Sequence, residues 1–252
     1  MSAGTRIAMF VLSCAAFTAL YIAALCGLSP IGQVHGWAAQ YGDAINRMSV
    51  PALHITDAVT AVNFEFRGFD TLGEEFIMAV SVLGAALLLR KHPDQGSGPP
   101  QDKAAGRKIS RPGDAVRVLT VGLVGPVTLF GIYIVVHGQL TPGGGFQGGV
   151  ILASAPLLIY LAGEFGSLQQ VAPRWLVEVG EAVGAGGYAV IGAVSLAVGL
   201  PFLANYLPPG RVGDLFSGGI VALIDVTVGL EVAGGLLLLL LVFLEEALTR
   251  RP

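Results

Sequence analysis

The chain has 252 residues, of which 54% are hydrophobic and 12% charged, with a net charge of −3. A soluble domain carries about 25% charge, so half the usual charge is missing, and what remains clusters between apolar runs. That is the composition of an all-α polytopic integral membrane protein. The small net charge points to no nucleic-acid partner.

Ile7–Leu28 is the first apolar run, preceded by Arg6. It is longer than a signal-peptide core and shows no small-x-small cleavage site, so it reads as a retained transmembrane helix. Cys14 and Cys26 both lie on it. Twelve residues of helix separate them by about 18 Å, too far for a disulfide, and without paired histidines they form no metal site.

His54–Asp70 is half polar and reads as an amphipathic or buried helix ahead of the second span, Thr71–Leu89. Thr71 with Glu74 has the spacing of a capping box, and Arg67–Asp70 that of a local ion pair. Glu74 has a second reading, as an acid facing a polar pathway. Residues 91–114 are rich in Pro, Gly, Ser and charge, which is linker composition. They divide the chain into a two-span unit (1–90) and a four-span unit (115–252).

The four-span unit contains runs at Ala115–Val136, Val150–Glu164, Val177–Leu200 and Gly219–Leu244. With six crossings and both termini in the cytoplasm, the inner segments hold 11 of the 14 lysines and arginines, as the positive-inside rule expects. His137 ends the third span, either as polar termination or as a proton relay. After it, Thr141, Pro142, Gly143, Gly144, Gly145, Gln147, Gly148 and Gly149 form a glycine-rich loop. Gly143-x-Gly145-x-x-Gly148 matches a dinucleotide fingerprint only formally, because a membrane span precedes it where a strand is required. The loop reads either as a plain connector or as a re-entrant element packed at an interface, since loose backbone at membrane depth must be satisfied by protein or water.

Three acids in the later spans, Glu181, Asp225 and Glu231, are candidates. Glu178 and Glu181 share a helix face near the start of the fifth span, where the helix dipole alone would favour them and where Glu181, a turn deeper, is a candidate for an ion path. Glu231 lies about 13 Å into the sixth span, near mid-membrane. A carboxyl group there marks an ion or proton site, or else a neutral acid bonded to a neighbouring helix. Asp225 lies about 120° around the same helix and reads as solvated or cap-paired ahead of a pathway residue. Gly180–Gly184 and Gly218–Ala222 have the small-x-x-x-small spacing of close helix packing.

The strings HGQLTPGGGFQGGVILAS, PFL and GLEVAGGLLLLL resemble the MnhB (MrpB) subunit family of multisubunit cation/proton antiporters. DAVTAVNFEFRGFDTLGEE, followed by an apolar helix ending LLLRK, resembles the C-terminal part of the large MrpA subunit, a piece that is a separate two-span subunit in membrane-bound hydrogenases. The resemblance implies an accessory subunit in a prokaryotic plasma membrane, among lipid, other Mrp-type subunits, sodium and protons. It implies no cofactor and no enzymatic reaction. Glu231, Glu74, Glu181, Asp225 and His137 are the ion-path candidates. The alternatives are the same subunit in a hydrogenase-like, redox-driven pump, and a purely structural adaptor.

Overall fold

The computed structural model describes residues 3–27, 37–89, 112–163 and 165–249. The chain divides into two compact units, 1–44 and 45–252. The first contains α1 (Ala3–Cys26), in which Cys14 and Cys26 are free, and the start of α2 (Trp37–Ser49), which runs on into the second.

In the second unit, a one-turn α3 (Ala58–Thr60) continues into a π-helical turn, Ala61–Phe66, before α4 (Gly68–Leu88). Then come α5 (Asp114–Val136), α6 (Gly145–Ala162), the short α7 (Phe165–Val171), α8 (Arg174–Ala197) and α9 (Ile220–Thr249). No strand occurs among the described residues. Six helices are long and apolar enough to cross a membrane: α1, α4, α5, α6, α8 and α9. The protein is an all-α, multi-pass membrane protein. Most of the predicted linker, residues 91–111, lies outside the described residues.

α9 is the axis of the second unit. Its 30 residues make a rod about 45 Å long, packed by α8 and α6 along much of its length and by α4. α4 and α6 run in the same direction as α9, whereas α5 and α8 run against it. Two apolar clusters fill the interior. One joins Ile55, Phe64, Leu72 and Tyr188 to the first three turns of α9. The other joins Val82, Ala153, Phe165, Leu168 and Val177 to Leu237–Val242. The acids of interest lie where the two clusters meet.

Several local expectations change. α4 starts at Gly68, so Thr71 is not a cap but an internal residue whose hydroxyl donates to the Asn63 carbonyl (2.8 Å). The Arg67–Asp70 pair forms, at 2.6 Å, and is exposed. Gly218 precedes α9 with φ of 80°, so Gly218–Ala222 is not a helix-packing pair. Gly145, Gln147, Gly148 and Gly149 lie in the first turns of α6, which leaves only residues 137–144 as a turn between two antiparallel helices.

Candidate ion-handling site

The glycine motif is a packing device. A Cβ on Gly145 would sit 2.7 Å from that of Val228, one on Gly149 the same distance from that of Val232, and one on Gly148 2.8 Å from the Gly131 carbonyl oxygen. Contacts that close exclude any side chain, so only glycine lets α5, α6 and α9 meet here. Gly143 and Gly144 turn the chain with φ of 156° and 112°, a region favouring glycine. The freed N–H of Gly145, at the start of α6, donates to Asp225 Oδ1 at 2.8 Å.

Asp225 is thus fully buried and not solvated, and it caps a neighbouring helix rather than its own. An acid at a helix N-terminus is favoured twice, by the orphan donors and by the dipole. The turn is also latched from α3: Thr60 Oγ1 donates to the Gly138 carbonyl (2.8 Å), and Thr56 N–H to that of Gln139 (3.0 Å). His137 stands outside this arrangement, its ring stacked on Tyr133 (4.0 Å between centroids) and its Nδ1 against the Tyr133 carbonyl. Thr141 is half-buried, and Pro142 and Gln147 face outward.

Glu231 lies a turn and a half further along α9, on another face. It has no exposed surface, and neither carboxyl oxygen has a hydrogen-bond donor. Gly184 explains how it is enclosed. A Cβ there would come within 2.6 Å of Glu231 Cα, so α8 and α9 cross with their backbones in contact. Three residues on, Gly234 does the same for Glu181, its would-be Cβ 2.6 Å from the Glu181 nitrogen. The crossing buries Glu181 to 6% exposure.

α4 supplies a third acid, and it is not Glu74. Leu72, Glu75, Ala79 and Val82 are the buried positions at helical spacing, so Glu75 faces inward with 5% exposure, while Glu74, about 100° further round, is exposed. Glu75 Oε2 and both Glu231 carboxyl oxygens are buried without a hydrogen-bond partner, and each acid acts electrostatically on the other. Two ionised carboxylates are both acceptors, so a bond between them exists only when a proton lies between them. Glu181 is in electrostatic reach of Glu231, and Glu178 of Glu181.

Beyond Glu181 the acids open into a cavity of about 700 Å3. Its lining includes Leu83, Leu238, Glu178, Glu245, Glu246 and Arg174. Arg174 pairs with Glu178 (2.8 Å) and Glu245 (3.3 Å) at its rim. In the other direction the cluster is closed by buried Tyr188, which donates to the Gly68 carbonyl (2.8 Å) and meets Phe64 edge-on. The geometry gathers three buried carboxyl groups, Glu75, Glu181 and Glu231, beside this cavity.

Residues 115–238 match the family described as a domain related to the MnhB subunit of Na+/H+ antiporters. They form an MnhB-type domain. It carries the glycine motif, Glu181, Asp225 and Glu231, while Glu75 lies outside it. An uncharacterized protein of Methanocaldococcus jannaschii is 29% identical over 78% of this chain and 80% of its own length. A probable K+/H+ antiporter A/B-type component of Rhizobium meliloti is 27% identical over 67% of this chain, which spans 19% of that protein. A putative antiporter component, mnhB2, of Staphylococcus aureus is 32% identical over 36% of this chain and 64% of its own. Among solved structures, a chain of the archaeal membrane-bound sulfane sulfur reductase is 28% identical, with a TM-score of 0.74 over 98% of this chain and 100% of that one. A chain of the Mrp complex from Dietzia sp. shares the fold (TM-score 0.73, 20% identity), covering all of this chain and 27% of that one.

Proposed function

We propose that this chain is an accessory membrane subunit of a Mrp-type cation/proton antiporter, a transporter component and not an enzyme. It helps assemble the complex and lines part of an ion path in a prokaryotic plasma membrane. The observation that carries this is the MnhB-type domain together with the antiporter components to which it is similar. Residues 1–90 act as a second module joined through 91–114. The distribution of lysine and arginine supports both termini being cytoplasmic, which puts the rim of the α8–α9 cavity on that side.

The test is affinity purification of the tagged chain from its native membrane in mild detergent, with mass spectrometry of what accompanies it. Large antiporter-like subunits are the expected companions. Their absence would sink the proposal. A second reading, a component of a redox-driven ion pump, is favoured by the end-to-end match to the sulfane sulfur reductase chain. Iron–sulfur proteins among the companions would select it.

A further inference from the structure

We propose that Glu75 and Glu231 form a proton-exchange site reached from one side of the membrane only, through Glu181 and the cavity at the cytoplasmic end of α8 and α9. Only the name of that side rests on the orientation proposed above.

Three observations converge. Glu231 is fully buried with both carboxyl oxygens lacking a donor, and a second buried carboxyl group, that of Glu75, with its Oε2 equally unpartnered, acts on it electrostatically. An ionised carboxylate at that depth costs several kcal/mol unless it is paired, hydrated or protonated, and the partner provided is another acid. A shared proton satisfies both.

Access is asymmetric. Glu181, itself buried, lines the cavity and is the next carboxyl group after Glu231, so a proton has one intermediate stop between water and the pair. On the far side, Tyr188, Leu72, Ile224 and Val228 belong to one buried apolar cluster. Of the elements against Glu231, α4 brings Glu75 and α8 brings Glu181 and Tyr188. Across the other face of α9, α6 contributes Gly149 and Ala153.

The test is carbodiimide labelling of the whole chain in its native membrane, read by peptide mass spectrometry. A carbodiimide adds the O–H of a protonated carboxylic acid across one C=N bond. The carboxyl oxygen bonds to carbon, the proton goes to nitrogen, and ionised carboxylates do not react. Membrane-soluble dicyclohexylcarbodiimide should label Glu231 or Glu75, with labelling falling about tenfold per pH unit above its midpoint. In Glu75→Gln the midpoint at Glu231 should move, which a packing role alone would not produce. A water-soluble, membrane-impermeant carbodiimide should label from the cytoplasmic side only. Ala182→Trp, at the cavity wall, should cut that labelling several-fold and leave the membrane-soluble reaction unchanged. No label on either acid, an unmoved midpoint, or equal labelling from both sides would overturn the proposal. Labelling is read on this chain whatever co-purifies with it, so failure of the proposed antiporter role and failure of this site are separate results.

Discussion

Gly180 and Gly184 lie one turn apart on α8, and only Gly184 has a neighbour: a Cβ on Gly180 meets nothing within 4 Å. Gly184→Ala must push apart the α8 and α9 backbones beside Glu231, an overpacking cost of about 1–3 kcal/mol. Gly180→Ala should be neutral or slightly stabilising through helix propensity. Thermal unfolding of the two variants in detergent checks the contrast. The spacing marks Gly184 correctly and Gly180 wrongly, and Glu231 is readable as a lone acid in an apolar run. Glu75 is not, although Leu72, Ala79 and Val82 mark its face at helical intervals. A helix started at Thr71 puts weight on Glu74, the outward neighbour, because a capping box and a buried acid compete for the same four residues. Cap pairing is one of the two readings the sequence allows Asp225, but its partner, the Gly145 N–H, is 80 residues away, and no local pattern encodes it.

At the scale of elements, α9 begins where Asn205 allows it. Asn205 Oδ1 accepts from the Ile220 N–H (3.1 Å), and its amide donates to the Gly218 carbonyl (2.9 Å) and to Glu65 in the π-helical turn (3.2 Å). Burial pushes the Glu65 carboxyl above its usual value of 4.5, and the Asn205 bond only partly offsets this. A raised folded-state value means that protonation favours the fold. This contribution is fully present below 4.5 and lost as pH rises through the raised value. The melting temperature of wild type should therefore fall across that window relative to Glu65→Gln, which does not titrate; parallel curves would refute the linkage. The broken run before α4 reads in the sequence as one helix, since periodicity does not distinguish an α-helix from one with a π turn. The glycine run reads as loop because glycine disfavours helix interiors. Three-helix contact at Gly145, Gly148 and Gly149 outweighs that penalty.

For the whole molecule, the six spans are legible because bilayer thickness sets their length, whereas the contacts between them are not. The packing of α4 on α9, through Glu75, Val82 and Gly235, ties the second predicted span to the MnhB-type domain. Residues 1–100 and 101–252 expressed as separate chains should therefore co-purify. Gly235→Leu, which intrudes on Val82 and Met78, should abolish this, whereas co-purification unaffected by that change would place the contact elsewhere.

The most direct measurement is cation/proton exchange in inverted membrane vesicles containing the whole complex with Glu231→Gln in this chain, alongside the amount of complex assembled. Assembly at the wild-type level with exchange reduced about tenfold or more, the scale on which losing a positioned proton-transfer group is felt, is the expected result. Exchange at the wild-type rate with normal assembly would contradict the account and leave the chain a structural adaptor.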